Sequence, residues 1–255
     1  MSQAYVISFA NQKGGVGKTT SCVNIASQAA QSGRRVLIID MDPQGNSTSG
    51  VGISKKNIRK TVYDALIDDV RPEDCIIRTE FENLSILPST ISLAGAEFEL
   101  FDMSGREGRL RSFIELLRDS YDLIMIDCPP SLSMLTINAL TASDGVIIPM
   151  QCEFYALEGL TQLMLTIKKV KELYNSRLSV LGILVTMYNG RLNLSVQVLD
   201  EIKKYYGDKL LRTTIPRAVK LSEAPGFGTP INYHDKYSKA AHAYEDATRE
   251  ILDRI

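Results

Sequence analysis

Eight residues, Lys13 to Thr20 (Lys-Gly-Gly-Val-Gly-Lys-Thr-Thr), restrict this chain more than any other feature in it. They stand between Tyr5–Phe9, a short apolar run rich in β-formers, and a helical pattern over Thr19–Ser32 that Gly33 stops. Glycines at positions 14, 15 and 17 let successive backbone N–H groups turn toward one centre, where they can hold phosphate oxygens. The helix that follows adds its partially positive amino end. In such a loop Lys18 reaches the β- and γ-phosphates of a nucleotide, and the Thr19 hydroxyl ligates Mg2+.

The rest of the chain alternates in the same way. Arg35–Asp40 is apolar through its centre, as a strand buried on both faces should be. Further strands are expected at Leu84–Leu87, Leu123–Asp127, Gly145–Pro149, Leu178–Thr186 and around Leu210–Ile215. Helical patterns fall near Thr61–Ile67, Arg109–Ser120, Leu132–Leu140, Ala156–Tyr174 and Leu194–Tyr206. This predicts an α/β fold, a mostly parallel twisted sheet with helices on both faces, in one domain over residues 1–255. Asp127 ends an apolar strand and fits a carboxylate that holds Mg2+ directly or through water. Asp40 and Asp42 lie at the carboxyl end of the second strand, where α/β sheets place their ligands. An aspartate there can also cap the next helix, and for Asp40 the residues alone do not choose.

Charge and cysteine usage narrow the function classes. With 29 basic and 30 acidic residues the net charge is −1, so any surface for a polyanion must be local. Residues 40–127 hold 10 basic and 17 acidic side chains, whereas residues 186–239 hold 9 and 5. Cys22, Cys75, Cys128 and Cys152 form no C-x-x-C pair, and two histidines leave little for zinc or iron–sulfur binding. No apolar run approaches the ~18 residues of a membrane span. The first ten residues lack the basic and long apolar regions of a secretory signal. Buried, reduced thiols in a cytosolic protein are expected.

One departure in the loop is informative. The ordinary pattern has glycine where this chain has Gln12, and a second lysine, Lys13, opens the loop. That form resembles the deviant Walker A box of the ParA/MinD family of P-loop ATPases. The resemblance implies ATP and Mg2+ as ligands, held by Lys13, Gly14, Gly15, Val16, Gly17, Lys18, Thr19 and Thr20, with Thr19, Asp42 and Asp127 at the metal. It implies a catalytic set of Lys13, Lys18 and Asp42. Lys13 would reach across a dimer interface to the nucleotide of the other subunit, adding positive charge where charge develops. Asp42 would orient the attacking water, with Asp40 as its supporting neighbour. Asp42–Asn46 and Asp127–Ser131 would be switch loops, ordered by ATP and released on hydrolysis.

The likeness continues along nearly the whole chain. Asp42–Gly50, Ile183–Tyr188, Arg191–Leu194, Ile215–Arg217 and Leu221–Pro225 look like the chromosomal ParA/Soj type. By that resemblance Met187, Pro216 and Arg217 lie near the adenine, and Arg191 and Lys220 contact the DNA backbone. Lys220 stands where the family carries arginine, which keeps the charge and loses the bidentate fork. Phosphate contact without base reading needs only the charge. Arg212, Lys236 and Lys239 could extend the patch, although a solvated surface role suits each better. The expectation is an ATP-hydrolysing homodimer that binds non-specific DNA in its ATP state, is associated with the nucleoid, and is discharged by a ParB-type partner. A positioning or scaffold ATPase for a protein cargo, or a regulator of division or replication, is the alternative.

Membrane-bound relatives end in a basic amphipathic helix. Here Ala240, Tyr244, Ala247, Ile251 and Ile255 form an apolar stripe among a surplus of acidic residues, so a helix docked on its own core is expected, without a membrane. Iron–sulfur relatives need paired cysteines, and a first strand near residue 4 leaves no place for an N-terminal helix-turn-helix domain. Residues 63–74 and 98–108 are assigned no role beyond packing.

Overall fold

In the computed structural model, which describes residues 3–68 and 70–255, eight strands form one sheet in the order β3-β4-β2-β5-β1-β6-β7-β8. The chain runs β1 (Tyr5–Phe9), α1 (Lys18–Gln31), β2 (Val36–Asp40), α2 (Asn46–Gly50), α3 (Val62–Ile67), α4 (Pro72–Cys75), β3 (Ile77–Arg78) and β4 (Leu84–Leu87). It continues through α5 (Leu93–Phe101), α6 (Arg109–Glu115), β5 (Leu123–Asp127), α7 (Met134–Ala142), β6 (Gly145–Gln151) and α8 (Ala156–Leu173). The last elements are β7 (Ser179–Tyr188), α9 (Asn193–Tyr206), β8 (Leu210–Pro216), α10 (Val219–Glu223), α11 (Ile231–His234) and α12 (Lys239–Leu252).

Seven strands are parallel, and only β3 runs antiparallel to its neighbour β4. The central strands β2 and β5 are apolar at every inner position because both faces are covered. Leu37, Ile39, Ile124 and Ile126 pack with α3, α5, α6 and α7 on one face. Val36, Ile38, Leu123 and Met125 pack with α1 and α12 on the other. Each such side chain contributes about 1.5–3 kcal/mol on burial. The chain builds outward from β1 through β2 to β4, returns to insert β5, and then turns to the opposite side with β6, β7 and β8. Ligand crevices form outside the carboxyl ends of strands at such a reversal, and the glycine loop leaves β1 there.

Several boundaries differ from the sequence reading. β6 and β7 run further, to Gln151 and Tyr188, and the short β3 is an addition. A two-residue strand carries no periodicity to read. Ala240, Tyr244, Ala247 and Ile251 are buried as expected, but Ile255 lies beyond α12 and is 44% exposed. Residues 98–108 divide into the end of α5 and a single turn at Arg106–Gly108. Asp69, within the unassigned 63–74 stretch, lies outside the described residues, as do Met1 and Ser2 of the amino-terminal segment. All four cysteines are buried and free. Among the described residues no helix is long and apolar enough to cross a membrane.

Candidate active site

Gly15 and Gly17 adopt the left-handed conformation at φ 74° and 83°, which L side chains rarely enter, and Gly17 caps α1. Lys18 is only 6% exposed and its Nζ donates to the Lys13 carbonyl at 3.0 Å, folding the loop over the helix start. Burial lowers the Lys18 pKa, against the opposing charges of Asp127 and Asp42. Two further carbonyls are engaged from neighbouring strands. Gln151 Nε2 donates to Gly15 O at 2.7 Å, and Thr186 Oγ1 donates to Val16 O at 2.8 Å. Tying back three loop carbonyls removes the dipoles that would oppose a phosphate and leaves the amides to face it.

Asp40 and Asp127 are register neighbours on β2 and β5, and both are fully buried. Asp40 Oδ2 accepts the Thr48 amide at 2.8 Å and its hydroxyl at 2.7 Å, while Oδ1 accepts the Asp42 amide at 3.3 Å. Asp40 therefore braces the loop that carries Asp42. Asp42 is 8% exposed, and its Oδ1 accepts the Gln44 amide at 2.9 Å. Asp127 Oδ2 accepts the Ser47 hydroxyl at 2.8 Å, and its Oδ1 is buried without a hydrogen-bond partner. Burial pushes both carboxyls up. For Asp127 the Asp40 charge adds to the rise, while the Thr19 and Ser47 hydroxyls oppose it.

An orphaned carboxylate oxygen beside a threonine hydroxyl fits a hard cation. No group of three or more His, Cys, Asp or Glu among the described residues could hold a metal unaided. That donor set suits Mg2+, which binds through one or two carboxylates and completes its shell with water and phosphate.

Beside the loop, a cavity of about 250 Å³ is lined by Gly17, Thr20, Thr186, Met187, Pro216 and Arg217. Met187 holds a left-handed backbone at φ 50°, rare for a side chain of its size. Its sulfur accepts from Gln151 Nε2 at 3.0 Å, so one amide joins the loop to this cavity. Lys13 behaves differently from Lys18. It is 42% exposed along its side chain and pairs with Glu153 outside its own loop. Next to it opens a second hollow of about 280 Å³, lined by Gln12, Gln151, Tyr155 and Gln162.

Residues 4–180 match the family described as AAA domain. The chain is 52% identical over 246 residues to sporulation initiation inhibitor protein Soj of Bacillus subtilis, covering 96% of this chain and 97% of that one. It is 46% identical over 246 residues to the chromosome-partitioning ATPase Soj of Treponema pallidum, covering 96% of each. The chain belongs to the ParA/Soj family. Its fold also matches a Mycobacterium smegmatis structure described as cobyrinic acid a,c-diamide synthase, solved with an ATP analogue and magnesium. The TM-score is 0.86 at 38% identity, over 98% of this chain and 94% of that one.

As a ParA/Soj chain, it carries Arg191, Arg217 and Lys220 beyond the carboxyl ends of β7 and β8, and its other basic candidates elsewhere. Arg191 is exposed in the turn before α9, and Lys220 is exposed on α10, where its Nζ meets Glu223 at 3.0 Å. Arg217 is exposed at the cavity rim. Arg212 lies on the edge strand β8, Lys236 in the turn before α12 and Lys239 at the start of α12. The sequence reading did not single out Ser47, Thr48, Gln151, Thr186 or Glu153. Ser47 and Thr48 fall inside the quoted Asp42–Gly50 segment and Thr186 inside Ile183–Tyr188, and that was their only signal. Gln151, Glu153 and Thr186 meet the loop from 136 to 170 residues away in sequence, which no local pattern reveals.

Proposed function

We propose that this ParA/Soj-family ATPase is a nucleotide-gated homodimer that binds DNA without sequence preference and drives chromosome or plasmid partition, with a ParB-type partner triggering hydrolysis. The observation that carries the reading is the contrast between its two loop lysines. Lys18 is buried in its own phosphate loop, whereas Lys13 projects outward onto Glu153 and is free to serve a second subunit. The ATP analogue and magnesium in the Mycobacterium structure and the partition role of the Treponema relative support the same reading.

Thr19 and Asp127 would hold Mg2+, with Asp42 alongside. When bound, the ion neutralises charge on the phosphoryl oxygens. The loop amides and Lys18 bind and orient the phosphates. Asp42 holds the attacking water and accepts its proton as the water oxygen bonds to the γ-phosphorus, while the bond from that phosphorus to the β–γ bridging oxygen breaks and ADP leaves with the electron pair. Lys13 exchanges Glu153 for the partner subunit's nucleotide and stabilises the charge developing there. Met187, Pro216 and Arg217 enclose the base, and Arg191 and Lys220 meet DNA phosphates on the β7–β8 side.

The test measures binding to a non-specific duplex with no nucleotide, ADP, ATP and a slowly hydrolysed analogue, with mass followed by light scattering. Binding and a doubled mass are expected only in the ATP-type states. Dimerisation without DNA binding in any state would overturn the partition reading in favour of a protein cargo.

A further inference from the structure

Helix α5 has two apolar faces. Leu93, Ala96 and Leu100 are buried in the core, where α5 packs beside α3 and α7. On the other side Ile91, Phe98 and Phe101 are exposed by 70%, 81% and 69%. Positions 94, 98 and 101 follow the i, i+4, i+7 spacing, so Ala94 completes one solvent-facing stripe that begins at Ile91. Single exposed apolar side chains are ordinary, but a contiguous stripe with two phenylalanines marks an interaction surface.

Charge around the stripe indicates what covers it. From Ile91 to Gly105 the chain carries Glu97, Glu99 and Asp102 and no lysine or arginine. Tyr63 donates to Glu99 at 2.6 Å and holds it at the rim. The first cation after the segment, Arg106, lies over the Phe101 ring at 5.0 Å and donates to the Phe101 carbonyl. This face thus already receives a guanidinium from its own chain.

We propose that the outer face of α5 is the docking surface for a cationic amphipathic helix of a partner protein, whose apolar side covers Phe98 and Phe101 and whose lysines or arginines meet Glu97, Glu99 and Asp102. The acidic rim opposes an anionic membrane and would face itself in a two-fold contact between copies. This deepens the function proposed above and rests on its hydrolysis-triggering partner. The turn that starts α5 reaches the loop of Asp42. The Ser89 amide donates to Thr48 Oγ1 at 2.9 Å, and the same hydroxyl donates to Asp40, which braces Asp42. A Cβ at Gly45 would lie 2.7 Å from the Ser89 carbonyl, so the two segments are already in contact.

The probe is a labelled 18-residue peptide of leucine and lysine with its leucines on one helical face, titrated by fluorescence anisotropy against the full chain without nucleotide. A scrambled peptide of the same composition is the comparison. The amphipathic peptide is expected to bind at least tenfold more tightly than the scrambled one, and to raise ATP turnover at saturation. Phe98→Glu/Phe101→Glu should lose at least tenfold in affinity, as should Glu97→Lys/Glu99→Lys. Leu173→Glu, on the exposed side of α8, should change nothing. Equal affinity for both peptides, or unchanged binding by the phenylalanine variant, would overturn the surface. So would a fall in mass of the free protein on that substitution, because the face would then join two copies. Bound peptide without any change in turnover would overturn the link to the Asp42 loop. The titration uses neither nucleotide nor DNA. Nucleotide-gated DNA binding with no peptide binding therefore removes this surface alone, and the reverse result removes the partition reading alone.

Discussion

The Thr186 hydroxyl reaches the Val16 carbonyl at 2.8 Å and shares the Met150 carbonyl at 3.1 Å, fixing the phosphate loop from a strand two places across the sheet. Thr186→Val keeps the shape and leaves a loop carbonyl without its donor, a loss of about 1–3 kcal/mol. ATP affinity should fall roughly tenfold, and Thr186→Ser should restore it. Calorimetric titration checks this, and a lower melting point with unchanged affinity would reduce Thr186 to packing. Asp42 makes a different prediction. Asp42→Ala should retain ATP and form a persistent dimer with turnover reduced at least a hundredfold, the scale expected of a positioned general base. Normal turnover by that variant would place the water elsewhere. Asp42 was legible because a motif names its neighbours. Thr186 lies in the quoted Ile183–Tyr188 segment, but its role was not legible, because it acts on Val16 across 170 residues of sequence.

Strands and helices were legible where burial is two-sided or strongly periodic. β2 and β5 are five-residue runs buried at every position, and α12 places its stripe on the core at 3.6-residue spacing. β3 and the outer face of α5 had no such signal, the first being too short and the second lying outside the core, with Phe98 and Phe101 exposed. The edge strand β8 shows how tertiary chemistry completes an element. Its Arg212 and Thr213 amides both donate to the Glu250 carboxylate of α12, at 2.8 and 3.1 Å, which closes part of an edge that could otherwise pair with another chain. Burial alone would raise the Glu250 pKa. The two amides and Arg254 outweigh it, and the carboxyl falls below its ordinary 4.5. A depressed folded value means stability that is complete above the unfolded value and lost as pH falls through the folded one. Glu250→Gln should therefore melt about 2–4 °C below the parent at pH 7, for a loss of about 1 kcal/mol. The gap should narrow as pH drops below 4.5. A gap that persists undiminished into strong acid would assign the effect to packing.

Across the sheet the chain is electrically polarised although its net charge is only −1. The acidic surplus of residues 40–127 gathers on the β3-β4-β2-β5 half, and the basic surplus of residues 186–239 on the β7-β8 end. Arg191 follows β7 in a turn and Lys220 follows β8 on α10, so a weakly charged protein can present a local cationic edge. On the function proposed above, a monomer with so few phosphate contacts would hold DNA weakly. A dimer would double them, and because each contact releases counterions, affinity would rise steeply with their number. Arg191→Glu should therefore leave ATP-driven dimerisation intact while DNA binding at moderate salt collapses. Where binding is still measurable, as with the milder Arg191→Ala, the slope of log affinity against log salt should flatten by about 1 for each contact removed, or about 2 per dimer. A parallel pair of lines, with affinity reduced and slope unchanged, would mean that Arg191 shapes the turn and that the phosphates are met elsewhere on the β7–β8 end.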